Sequence, residues 1–289
     1  ANAGGDNSGI ITLLGGGTLQ SSSAWVQGIT LDANDGAGGT DGAVDLSAIT
    51  FSSLDHLEVE SASLSLGDTT LGDGANNPGD ANTGLKVTAS GNITLNGDIS
   101  TAGDSSNNAG AISLSATSII LNSGGSSDAN TVSITTNASV TDAAISLGAV
   151  EDGGSDKALT INSGSANFTT TSTIGNSDTI GALTISAADL ILGGAVKVGS
   201  NNVSITETDG HGIALGTALS GTAMDITDAE LAYIFAQDVT LISAGKFTVN
   251  GVTGSNTANI AGTTLLDGSG EVEFSSGASV FSNGLTVQA

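Results

Sequence analysis

Asp32-Ala33-Asn34-Asp35-Gly36, followed by Asp41, is the stretch of this 289-residue chain whose residue types best suit a hard cation. Calcium takes its ligands from carboxylates, amide oxygens and main-chain carbonyls. Asp32, Asn34, Asp35 and Asp41 supply such oxygens within ten residues. The spacing is not that of an EF-hand loop, and the chain has no Gly-Gly-x-Gly-x-Asp nonapeptide. A second reading of the same residues stands beside the first. Asp and Asn hydrogen-bond to their own backbone and favour turns, so the segment also reads as a solvated turn with no metal.

Other chemistry is sparse. The chain contains no Gly-x-Ser-x-Gly elbow, no phosphate-binding loop and no dinucleotide fingerprint. His56 lies in Asp55-His56-Leu57-Glu58 and His211 in Asp209-Gly210-His211-Gly212, so each is expected to face solvent beside acids. Glycoside hydrolysis needs two carboxylates a few ångströms apart, and stacked strands could bring Asp68 and Asp73 to Asp98. Against that use, one tryptophan, one tyrosine and six phenylalanines leave little for a sugar-stacking platform. Four lysines and no arginine leave little to neutralise an acidic sugar. The expectation is a protein that is not an enzyme, with a carbohydrate-active lyase or hydrolase as the alternative.

Charge narrows the partners. Twenty-nine acidic residues against four lysines give a net charge of −25. A phosphate backbone requires cationic contacts that release counterions, so nucleic acid is excluded, as are anionic membrane surfaces. There is no cysteine, hence no disulfide and no thiolate metal site. No apolar run is long enough to cross a bilayer.

The elements that must position these residues announce themselves by repetition. An apolar–Ser/Thr–apolar triplet returns as Ile29-Thr30-Leu31, Leu64-Ser65-Leu66, Ile93-Thr94-Leu95, Ile112-Ser113-Leu114, Val132-Ser133-Ile134, Ile145-Ser146-Leu147, Leu159-Thr160-Ile161, Leu183-Thr184-Ile185, Val203-Ser204-Ile205, Val239-Thr240-Leu241 and Leu285-Thr286-Val287. Period two is the pattern of a half-buried strand, and Gly, Asn, Asp and Ser between triplets supply turns. Triplets near 20 residues apart predict a parallel coil of three short strands per turn, with equivalent positions stacked. About thirteen such strands at roughly 4.8 Å spacing make a rod about 60 Å long. The dearth of aromatics fits a slender aliphatic interior. A flat antiparallel meander is the structural rival.

Longer spacers at 32–41, 72–84, 104–110, 124–130 and 151–156 are expected to protrude as loops. Thr227 and Glu230 form a capping-box pattern, so residues 226–236 read as a short helix or as one more coil.

Gly91-Asn92-Ile93-Thr94-Leu95-Asn96-Gly97-Asp98-Ile99, and Ile226-Thr227-Asp228-Ala229-Glu230-Leu231 with Ala236-Gln237-Asp238-Val239-Thr240-Leu241, resemble the repeats of filamentous haemagglutinin-type adhesins. The likeness covers residues 85–289 clearly and the earlier part loosely, through motifs of low specificity. It implies an all-β, right-handed parallel β-helix (a β-solenoid), secreted by bacteria through a two-partner route and displayed as a surface or matrix fibre. The family's secretion domain carries Asn-Pro-Asn. Here the single proline lies in Asn76-Asn77-Pro78-Gly79, so the chain is expected to be shaft. The sequence therefore predicts one solenoid over residues 1–289, a segment of a longer extracellular chain. Its expected partners are a host or neighbouring-cell surface, glycans, or further copies of itself.

Overall fold

The computed structural model describes residues 11–12, 17–20, 28–34, 41–52, 54–72, 83–101, 108–122, 124–125, 130–217, 223–275 and 277–288. Every strand pairing among these residues is parallel, which removes the antiparallel meander.

Three sheets carry the chain. Sheet I has six strands, in the order Ile11–Thr12, Ala43–Leu46, Ser63–Leu66, Asn92–Leu95, Ser118–Leu121 and Val150–Asp152. Sheet II has seven: Gly28–Asp32, His56–Ser61, Thr83–Ala89, Ala111–Ser115, Ile145–Leu147, Phe168–Thr170 and Leu190–Leu192. Sheet III has nine: Thr69–Thr70, Ile99–Ser100, Thr131–Thr135, Ala158–Asn162, Leu183–Ala187, Val203–Glu207, Val239–Ser243, Thr263–Gly268 and Gly284–Gln288. Between Asn92 and Asp152 the chain visits them in strict rotation, I then III then II. A four-stranded sheet IV follows, in the order Met224–Thr227, Ile213–Gly216, Phe247–Asn250, Val272–Phe274.

Alternation along each strand sorts its side chains. Ile, Leu and Val at every second position are buried, and the Ser and Thr between them are partly exposed. Register then stacks like on like. Ile99, Ile134, Ile161, Ile185, Ile205, Leu241 and Leu266 form one continuous inward row across sheet III. Leu64, Ile93, Ile119 and Val150 form another in sheet I. Each such side chain contributes about 1.5–3 kcal/mol by leaving water. Phe168 and Phe247 are the largest fully buried side chains, so an interior this narrow is filled almost wholly by aliphatics.

The repeat length differs from the one read off the triplets. Ile93, Ile112 and Val132 are 19 and 20 residues apart, yet they lie in sheets I, II and III and do not stack. The true partner of Ile93 is Ile119, 26 residues on. Ile134 pairs with Ile161, Ile185 with Ile205, and Ile205 with Leu241, so the step runs from 20 to 36 residues. Corner segments absorb the variation, because register is held by the buried rows and not by residue count.

Some corners leave no room for a side chain. Gly175 has φ 74°, and a Cβ there would press on the carbonyl oxygen of Lys197 in the next layer. Such a conformation and such an approach both require glycine. Residues 226–236 turn out to hold both of the structures expected of them. Met224–Thr227 is a strand, Asp228–Leu231 a one-turn helix with the complete Thr227–Glu230 capping box, and Ile234–Phe235 a strand again.

Candidate functional site

The loop read as a calcium candidate springs from the end of strand Gly28–Asp32. Its base is closed by the main chain: Gly42 N–H donates to the carbonyl of Ala33 at 2.8 Å, and Ala33 N–H to that of Glu60 at 2.8 Å. Asp32 Oδ1 accepts the N–H of Asn34 at 2.9 Å, the bond that defines an Asx turn. Asp41 Oδ2 accepts the hydroxyl of Ser90 at 2.9 Å. Asp35 lies outside the described residues, as do 36–40. Among the described residues, no three His, Asp or Glu side chains converge as a metal site would require.

The carboxylates considered for sugar chemistry do meet across layers, but on main-chain donors. Asp68 Oδ1 accepts the N–H of Asp98 at 2.9 Å. Asp98 Oδ1 in turn accepts the N–H of Ser133 at 2.8 Å and of Gly125 at 3.3 Å. Asp73 lies outside the described residues. Beside this row runs a ladder of amides, in which Asn122 Nδ2 donates to Asn96 Oδ1 at 2.7 Å and Asn96 Nδ2 to Ser65 Oγ at 2.8 Å.

That use of acids is general, and it was not read from the sequence. Asp152 is buried at the end of its strand. Its Oδ2 takes the N–H groups of Gly154, Ser155 and Asp156 at 2.8, 2.6 and 2.9 Å, and its Oδ1 that of Lys157 at 2.9 Å. Burial alone would raise this carboxyl, but the four donors together hold it below the ordinary aspartate value. Glu207, also buried, accepts from Gly210 at 2.5 Å, His211 at 3.2 Å and Gly212 at 3.3 Å, and from the Ser243 hydroxyl at 2.7 Å. Asp142 holds Ala138 N–H at 2.6 Å and both the N–H and the hydroxyl of Ser165, at 2.6 and 2.8 Å. Asp228 reaches across to Thr253 N–H at 2.7 Å and to the Asn256 amide at 2.8 Å. In each case the acid stands where the chain leaves a strand and turns a corner. Corner N–H groups have no ladder partner there, and a carboxylate is the strongest acceptor available for them. An acid two to five residues before or among glycines, as in Asp152-Gly153-Gly154 and Glu207-Thr208-Asp209-Gly210, is the sequence signal that marks them.

One test follows from Asp152. Its lowered carboxyl contributes stability that is complete above the unfolded value of about 3.9. That contribution is lost as pH falls through the lower folded value. Asp152→Asn is therefore expected to melt well below the parent at pH 7, with the gap narrowing below about pH 4 as the parent's own carboxyl protonates. Paired thermal melts at neutral and acid pH measure it, and a gap independent of pH would refute it.

The basic groups are committed in the same way. Lys86 Nζ lies 2.5 Å from Glu58 Oε1, in the adjacent strand of sheet II, and this bond holds the Glu58 carboxyl below its ordinary value. Lys246 pairs with Glu271 at 3.5 Å and with Glu273, Lys197 reaches Asn176 Oδ1 at 3.0 Å, and Lys157 reaches Asn130 Oδ1 at 3.4 Å. His211 Nδ1 sits 2.8 Å from Asp209 Oδ2 and His56 Nε2 4.0 Å from Glu58 Oε2, each beside acids as expected. The chemistry of this protein is thus spent between its own layers. Comparison with protein-family models, with curated proteins and with solved structures gives no match.

Proposed function

We propose that the three sheets close on one another as a right-handed parallel β-solenoid, and that this solenoid is a non-enzymatic structural or adhesive shaft of a bacterial surface or extracellular matrix. One observation carries the reading. Side chains that could bind or catalyse are turned to backbone donors of the neighbouring layer, as with Asp68, Asp98, Asp152 and Glu207. A molecule built this way resists deformation along its stacking direction, since every layer is tied to the next by ladder bonds and by these acids. A surplus of negative charge keeps neighbouring shafts apart in solution. The resemblance of its repeats to filamentous haemagglutinin-type adhesins supports export and display, with cell surfaces, glycans or further copies as partners.

Small-angle scattering of the purified chain is expected to give the profile of a rod, and incubation with assorted glycans to release no reducing ends or unsaturated products. A globular profile would remove the solenoid, and consistent glycan release would replace the shaft with a carbohydrate-active enzyme. Calcium at the 32–41 loop is the metal-dependent form of the same reading. Titration with calcium raises the melting temperature if Asp32, Asn34, Asp35 and Asp41 hold the ion, and an unchanged melting temperature leaves them as turn formers.

A further inference from the structure

Sheet II and sheet IV abut without joining. Leu190–Leu192 ends sheet II and Met224–Thr227 begins sheet IV, and no strand pairing links the two. The reason lies in the strand count. After Leu183–Ala187 the chain forms Leu190–Leu192, and after Val203–Glu207 it forms Ile213–Gly216. It then doubles back to lay Met224–Thr227 against the near side of Ile213–Gly216, whose far side pairs with Phe247–Asn250. Over this stretch sheet III passes from Leu183–Ala187 to Val203–Glu207 to Val239–Ser243 with no counterpart for the extra strand. One side of the molecule therefore holds one strand more than the other.

The lips of the resulting seam are held by two carboxylates. Asp189 Oδ1 accepts the N–H of Leu190 at 2.9 Å from one lip and that of Asp225 at 3.4 Å from the other. Glu230 takes the N–H of Leu192 at 3.1 Å from the first lip through Oε1. Through Oε2 it takes the N–H of Thr227 at 2.9 Å from the second. Each acid thus spans the gap that ladder bonds would otherwise close. The two also repel. Burial pushes the Asp189 carboxyl up, its two N–H donors pull it down, and the charges of Asp225 and Glu230 push it up again, with a rise as the outcome. A closure made of two like-charged side chains is weaker than a run of parallel ladder bonds, such as the five registered residue pairs between Leu183–Ala187 and Val203–Glu207.

We propose that this seam is a hinge built into the fold, at which the Leu190–Leu192 and Met224–Thr227 lips part while sheet III carries the chain across unbroken. Local openings of this kind are read by amide exchange. In the intact protein at neutral pH, the amides of Leu190, Leu192, Asp225 and Thr227 are expected to exchange about tenfold or more faster than those of Ile185 and Ile205 at the same level of sheet III. Glu230→Ala is expected to accelerate the lips further and to leave Phe168–Thr170 and Phe247–Asn250 unchanged. Equal protection of lips and sheet III in the parent overturns the hinge whether or not the variant folds. So does acceleration by Glu230→Ala spread evenly over all strands.

Discussion

Glu207→Ala is expected to lower stability by about 3–5 kcal/mol, the largest effect of any single carboxylate replacement in this chain. The side chain is buried, and four donors converge on it: the N–H groups of Gly210, His211 and Gly212 and the hydroxyl of Ser243. Each donor left unsatisfied away from water costs about 1–3 kcal/mol. The exposed ones among these recover part of that from solvent, so the sum falls short of four full penalties. Gly212 and Ser243 are buried and recover little. The loss also reaches beyond one corner, because Ser243 belongs to the next strand of sheet III, 36 residues away. Glu207→Gln keeps one acceptor oxygen and should recover part of the difference. Denaturant unfolding of the three proteins side by side measures it. A Glu207→Ala variant within about 0.5 kcal/mol of the parent, the range of an ordinary surface change, would show that the corner does not depend on this acid.

The second large effect is expected in the core. Ile161 is fully buried in the inward row of sheet III, between Ile134 below and Ile185 above. Ile161→Ala removes methyl groups that both neighbours pack against and should cost about 2–5 kcal/mol. The upper part of that range applies where the surroundings cannot collapse, and here collapse is resisted because the register ties each layer to two others. A stacked architecture also confines the damage. Each layer contacts only its neighbours, so loss of exchange protection should centre on Thr131–Thr135, Ala158–Asn162 and Leu183–Ala187 and fade beyond them. Hydrogen exchange together with unfolding checks both the size and the spread. Uniform loss along the whole chain would mean that the layers fold as one indivisible block.

These two residues differ in how far the sequence announces them. Ile161 is the third member of Leu159-Thr160-Ile161, and its burial follows from alternation alone. Glu207 closes a strand of the same kind, Val203–Glu207, but nothing in that alternation distinguishes an acid turned inward from one facing water. The capping box of Thr227 and Glu230 was legible as a helix start. That Glu230 also reaches the N–H of Leu192, 38 residues earlier, was not, since that contact exists only once two distant strands abut.

By itself the sequence determined the local conformations. Alternating Ile, Leu and Val with Ser and Thr dictates short strands with one apolar face. The lack of large rings dictates a thin interior, and Gly, Asn and Asp place the corners. Tertiary structure decided which strand lies on which. Parallel neighbours are joined by connections of many lengths, so spacing in sequence carries no register, and buried rows settle it by matching like with like. It also decided where the acids go. A carboxylate is soluble in any turn, and only the meeting of two layers creates the unpaired N–H groups that turn it into a structural bond.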